Sequence, residues 1–214
     1  MSDAYSKITQ ELIAGNLEEV PNLCLQAVED GMTAQDILDK CLFPGMDVVG
    51  QRMKTGEMFI PEVLRSAKAM QAGLEVLKDK LADGGSGSQR GIVVIGTVQG
   101  DLHDIGKNLV VMLLEGAGFK VVDLGVDIKP EQFVSAVNEH DATIVGMSAL
   151  LTTTMPKMNE TVQALTEAGL RDNVKIIVGG APVTPKFVEQ IGADGYGADA
   201  AGAVDKAKEF ALSA

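Results

Sequence analysis

"GTVQGDLHDIGKNLV", residues 96–110, follows the apolar run Ile92-Val93-Val94-Ile95 and decides how the chain is read. The run has the length and β-branched texture of a buried strand, and from about Ile105 apolar residues recur at helical spacing. Between strand and helix lies a loop holding Gly100, Asp101, His103 and Asp104, and His103 is one of only two histidines in the chain. Such a loop opens at the carboxyl end of a strand, where open α/β sheets bind their ligands.

Toward the C-terminus the same texture repeats. The runs "GIVVIGT", "KVVDLGV", "ATIVGMSAL" and "VKIIVGG", with a weaker "DGYGA", alternate with helix-length segments at 104–117, 130–139, 155–168, 184–191 and 199–212. Near-continuous apolar strands separated by helices predict an α/β domain over 91–214. Its expected form is a doubly wound parallel sheet of Rossmann or flavodoxin type.

Toward the N-terminus the periodicity is helical throughout. Four segments, starting near Tyr5, Asn16, Thr33 and Ile60, predict a four-helix bundle over 1–84. Asn16 and Thr33 serve as N-caps, Gly15 and Gly31 as stops, and Pro61 falls in a first turn. Pro44 bends or breaks the third helix. Between the two regions "DGGSGSQR", 83–90, has the composition of a flexible linker, placed at 85–90.

Composition narrows the classes of function. The net charge of −12 disfavours a nucleic-acid partner, which needs clustered Lys and Arg. No apolar run approaches a membrane span, and the N-terminus carries no signal-peptide pattern, so a cytoplasmic location is expected. Cys24 and Cys41 match no zinc spacing and read as small buried hydrophobes.

The residues just past each predicted strand form a coherent set. The first strand delivers Gly100, Asp101, Leu102, His103, Asp104 and Gly106; the third delivers Ser148, Leu150, Thr152 and Thr154. The fourth delivers Gly179 and Gly180, and the fifth Tyr196, Gly197 and Ala198. His140 precedes the third strand and belongs at the opposite edge. A phosphate loop is excluded, because Gly100 and Gly106 enclose five residues and Asn108 replaces the hydroxyl that follows the lysine. No G-x-G-x-x-G opens the helix either. A neutral imidazole backed by a carboxylate is a common metal-ligand arrangement, and Asp101 is placed to back His103. Ordinary helix capping also accounts for Asp104. No second histidine or cysteine pair shares this edge, so one protein ligand suffices only if a macrocycle supplies the others.

These residues resemble a known family. "DLHDIG", 101–106, is similar to the D-x-H-x-x-G signature of cobalamin-binding domains, "SAL", 148–150, to its S-x-L element, and "GG", 179–180, to its third. "MDVVGQRMKTGEMFIPEVLRSAKAM", 46–70, resembles the cap module that precedes this domain in methionine synthase and in corrinoid methyl-carrier proteins. The resemblance implies a bound cobalamin or related corrinoid, cycling between methyl-Co(III) and Co(I), held base-off with His103 as lower axial ligand of cobalt. It implies that Asp101 and Thr154 complete a relay behind His103. Ser148, Leu150 and Thr152 would line the channel for the displaced nucleotide tail. Gly106, Gly179 and Gly180 would admit that tail, and Tyr196 and Ala198 would surround it. Met53 and Ile60 match the family's cap positions and, by the same resemblance, would cover the upper corrin face.

The implied function is that of a methyl carrier, non-catalytic alone, in a methylamine, betaine or methanol methyltransferase system. The implied partners are a substrate-specific corrinoid methyltransferase, a second methyltransferase passing the methyl group to tetrahydrofolate or a thiol coenzyme, and a reductive activase. Two alternatives share the signature. A cobalamin-dependent sensor is expected to carry a further DNA-binding or signalling module, for which this length leaves no room. The cobalamin subunit of an adenosylcobalamin mutase lacks this helical cap.

Overall fold

The computed structural model describes residues 2–83 and 90–212, so the linker expected at 85–90 lies, but for Arg90, outside the described residues. Two compact units divide the chain between Gln89 and Arg90, save that Gly116–Gly118 is grouped with the first.

The first unit is helical: α1 Ser2–Ile13, α2 Glu19–Glu29, α3 Ala34–Ile37, a π turn Leu38–Leu42, α4 Phe43–Thr55 and α5 Ile60–Asp83. Its stops are those that the sequence predicts. Gly15 and Gly31 adopt φ of 71° and 91°, left-handed conformations that end α1 and α2. α2 starts at Glu19 rather than at the expected Asn16. The Asn16 side chain still accepts from the Glu19 N–H at 3.3 Å, so one turn separates the cap from the regular helix. Thr33 caps α3 by accepting from the Asp36 N–H.

At Pro44 the outcome is specific. Proline has no N–H, and its ring presses on the carbonyl four residues back. The chain responds by widening into the π turn, in which the Phe43 N–H reaches back to the Leu38 carbonyl. The helix therefore runs through the proline instead of breaking. The core of this unit is aliphatic and sulfur-rich, with Leu12, Val20, Ile37, Leu42, Met46, Val63, Met70 and Leu77 all buried. Cys24 and Cys41 are free and buried within it. Burial, then the neighbouring Cys41, pushes the Cys24 thiol up to about 12. Burial pushes Cys41 up to about 11, against a smaller opposing pull from Lys40.

The second unit holds five strands, β1 Ile92–Thr97, β2 Lys120–Asp123, β3 Ile144–Ser148, β4 Lys175–Gly179 and β5 Gly195–Gly197. The helices are α6 Ile105–Gly116, α7 Pro130–His140, α8 Pro156–Glu167, α9 Pro185–Ile191 and α10 Ala200–Leu212. All pairings are parallel and the order is β2-β1-β3-β4-β5, the flavodoxin-like doubly wound order. Val94, Val98, Val145, Met147, Ile176 and Val178 form one face of the sheet and pack with Phe133 of α7, Met158 and Leu165 of α8 and Val188 of α9. Alternate residues, Val93, Ile95, Ile144, Gly146 and Ile177, turn to the face bearing α6 and α10. The connection after β1 enters α6 on one face and that after β3 enters α8 on the other. The carboxyl ends of β1 and β3 therefore form the topological switch point.

Candidate functional site

At that switch point Asp101 is wholly buried and its carboxylate faces five donors. Oδ1 accepts from His103 Nδ1–H at 2.7 Å and from the His103 backbone N–H at 3.1 Å. Oδ2 accepts from the backbone N–H groups of Leu150 and Leu151, at 2.8 and 3.2 Å, and from the Thr154 hydroxyl at 2.7 Å. Asp101 thus ties the loop after β1 to the loop after β3. Burial works against the charged form. The bonds from Thr154, His103 and Leu150 nevertheless outweigh it and hold the carboxyl well below the usual carboxylate range. An ionised Asp101 accepts from Nδ1–H, so in neutral His103 the lone pair sits on Nε2, the nitrogen left to coordinate a metal. The His103 side chain is 51% exposed.

Beside it opens a cavity of about 580 Å³ between the α6/α10 face of the sheet and those two helices. This is the size of a pocket for a small-molecule cofactor. Leu102, His103, Asp104 and Gly106 line it from the loop after β1. Ser148, Leu150, Gly179, Gly180, Tyr196 and Ala198 line it from the other strand ends. Its inner walls are apolar: Val93, Ile95, Ile144 and Ile177 from the sheet, Val110 and Leu114 from α6, Ala203 and Ala207 from α10. Leu102 and Ile105 stand out beside His103 at 71% and 81% exposure.

Other expected residues lie elsewhere. Gly100 adopts φ of 82° beneath the loop, and Thr154 is buried behind Asp101. Thr152 is exposed and outside the cavity lining, because the turn closed by the Thr154 N–H on the Leu151 carbonyl carries it outward. Met53, half-buried near the end of α4, and Ile60, 48% exposed at the start of α5, belong to the helical unit. Tyr196 both lines the cavity and packs against the core. His140 ends α7 ahead of β3, at the opposite edge of the sheet.

The two glycines of the 179–180 pair are demanded by the chain itself. A Cβ on Gly180, at φ 125°, would sit 1.9 Å from the Ala149 carbonyl oxygen, and one on Gly179 2.7 Å from that of Gly197. Gly106 differs, since a Cβ there would meet nothing within 4 Å beyond its own chain neighbours and helix backbone.

Three further groups escape a reading of the sequence. Thr97, wholly buried at the end of β1, donates its hydroxyl to the His103 carbonyl at 2.9 Å. Asp127, at φ 57°, accepts from the Gly100 N–H at 2.7 Å and donates its own N–H to the Asp101 carbonyl. Lys107, its side chain 1% exposed, pairs with Asp123 at 2.6 Å and donates to Asn108, whose amide reaches Asp104. A strand-end threonine, a loop aspartate and a helical lysine carry no spacing signal of their own, and Asp127 reaches the loop only from the distant segment after β2.

These features define a cofactor-binding α/β protein with its ligand slot at the switch point of a parallel sheet. A family model described as "B12 binding domain" matches residues 91–205, and a second of the same description matches 5–78. A corrinoid protein of Desulfitobacterium hafniense is 43% identical over 95% of each chain. Dimethylamine corrinoid protein 1 of Methanosarcina acetivorans is 42% identical over 95% of this chain and 97% of its own length. The methanol:cobalamin methyltransferase complex MtaBC of Methanosarcina barkeri contains a chain 34% identical. The match covers 99% of this chain and 81% of that one, at a TM-score of 0.88. The protein described here belongs to the family of B12-binding corrinoid proteins.

The residues present fit a corrinoid. The macrocycle supplies four nitrogens to its metal, and among the described residues no group of three or more His, Cys, Asp or Glu side chains could hold a metal by itself. One imidazole with its second nitrogen tied to a carboxylate is the complementary donor. The open space over Gly106, which lines the cavity, leaves room for a group that a Cβ would crowd. Among the described residues no helix is long and apolar enough to cross a membrane.

Proposed function

We propose that the protein carries a methyl group on the cobalt of a bound corrinoid, with His103 Nε2 as the lower axial ligand. The observation that carries this reading is the 2.7 Å bond from His103 Nδ1 to the buried Asp101, beside a cofactor-sized cavity. When bound, the corrinoid supplies a cobalt that accepts and gives up a methyl group. The chain's own residues do the rest. Asp101 fixes the tautomer of His103, and the Thr154 hydroxyl steadies Asp101. The bond from Nδ1 to Asp101 would keep the ring in place whether or not Nε2 holds the metal. The apolar slot suits the nucleotide arm of a base-off cofactor, with Ser148, Tyr196 and Ala198 near its mouth.

The donor side is a substrate-specific methyltransferase of the methylamine or methanol class, as the names of the relatives suggest. The acceptor side is a methyltransferase serving a folate or a thiol coenzyme, and a reductive activase restores cobalt after oxidation.

The test begins with protein reconstituted with cobalamin. Wild-type protein gives the visible spectrum of base-off, histidine-ligated cobalamin. His103→Ala binds more weakly and loses that spectrum, and an unchanged spectrum in the variant overturns the assignment. Methylation of the bound cobalt by a methyltransferase supplied with methylamines or methanol then identifies the donor.

A further inference from the structure

Thr97 is the last residue of β1, and its side chain turns to the face where Val93 and Ile95 lie. An apolar side chain would meet every need of a buried strand at this position. A hydroxyl buried without a partner is unfavourable, and this hydroxyl donates to the main-chain carbonyl of His103. The backbone around Thr97 is itself fixed: its N–H bonds the Gly125 carbonyl and its carbonyl accepts from Ile128. The hydroxyl is therefore a rigid anchor six residues upstream of the imidazole.

His103 is held at three points. Its ring Nδ1–H and its backbone N–H both bond to Asp101 Oδ1, and its carbonyl bonds to Thr97. The first two bonds converge on a single oxygen. They leave the peptide free to rock about that oxygen, which would swing Nε2. The bond to Thr97 lies on the other side of the Cα and removes this freedom.

We propose that Thr97 is a positioning residue for His103, its hydroxyl locking the peptide that carries the imidazole so that the ring stays on Asp101. The proposal rests on the reading of His103 as cobalt ligand, and its effect passes through His103 alone.

The experiment compares full-length Thr97→Val, which keeps shape and removes the hydroxyl, with Thr97→Ser, which keeps the hydroxyl. In the corrinoid-free protein, ring nitrogen-15 shifts of His103 report how much of the imidazole carries its proton on Nδ1. The ratio of Nδ1–H to Nε2–H tautomer should fall about fivefold in T97V, the size of one lost hydrogen bond, and return in T97S. In titrations with aquocobalamin, the dissociation constant should rise about fivefold in T97V and stay within about twofold of wild type in T97S. A T97V protein unchanged in either measurement overturns the proposal. So does a T97S protein as impaired as T97V, which would assign the role to packing. Should T97V not fold, Thr97→Ala against Thr97→Ser makes the same comparison. Wild-type protein whose cobalamin spectrum equals that of His103→Ala would sink the ligand reading, and the proposal with it.

Discussion

Asp101 presents two oxygens to five donors, and four of those donors cannot be turned round. The three backbone N–H groups are fixed by the chain, and the ring proton of His103 sits where the carboxylate demands it. An asparagine at this position would have one acceptor too few. Its amide oxygen would serve Leu150, Leu151 and Thr154, and its NH₂ would face His103. The ring would then have to accept at Nδ1 and carry its proton on Nε2, which blocks Nε2 as a metal ligand. Asp101→Asn is thus expected to abolish histidine ligation in the cobalamin spectrum and to lower stability by about 2 kcal/mol or more.

The stability difference has a defined pH dependence. Because the folded pKa of Asp101 is depressed, its contribution is fully present above the unfolded value of about 4 and is lost as pH falls toward the folded value. Urea unfolding should show a constant gap between wild type and Asp101→Asn above about pH 5, narrowing below about pH 4. A gap that widens on acidification would show that Asp101 is not held ionised.

At the scale of elements, glycines divide into those the fold requires and those it merely permits. Gly180→Ala drives a Cβ into a backbone carbonyl at a positive φ, so neither partner can yield. A loss of at least about 4 kcal/mol is expected, read as a collapse of the thermal transition. Gly106→Ala does the reverse. Gly106 is the second residue of α6 and a Cβ there meets nothing within 4 Å beyond its own chain neighbours and helix backbone, so alanine should raise stability by up to about 1 kcal/mol. The same methyl would crowd the cavity and weaken corrinoid binding by roughly tenfold or more. Greater stability with poorer uptake separates the demands of the cofactor from those of the chain, and unimpaired uptake would remove Gly106 from the site.

The elements themselves are largely legible because their signals are local. Four of the five strands carry β-branched residues, β5 being the short Gly195-Tyr196-Gly197, and the helices begin and end within a residue or so of where periodicity and glycine place them. The π turn before Pro44 is not legible in that way, since sequence shows that proline disturbs a helix but not how the helix absorbs it. The candidate site divides along the same line. Asp101, His103, Ser148 and Gly180 announce themselves by spacing. Thr97 and Asp127 act through the main chain of the loop, and main-chain partners leave no pattern in side-chain identity. Thr152 lies on the exposed turn between Leu151 and Thr154, and no local signal in the sequence shows which side of that turn faces the cavity.

Across the whole molecule, a cofactor that binds only the folded chain must add to its stability by mass action. At a cobalamin concentration 100 times the dissociation constant the gain is about 2.7 kcal/mol, enough to raise the melting of the α/β unit by the order of 10 °C. The share owed to the metal bond is separable, because His103 is half-exposed and its removal deletes little packing. In His103→Ala, corrin contacts and the slot remain, but a weaker complex is less saturated at the same cobalamin concentration. The melting rise should then fall to less than about half that of wild type. The corrinoid-free variant should melt close to the corrinoid-free wild type, with any deficit traceable to the loss of one partner for Asp101. Calorimetry of the four samples decides the matter. Equal stabilisation by cobalamin in both proteins would mean that the corrin is held by the slot alone and that the imidazole contributes nothing to binding.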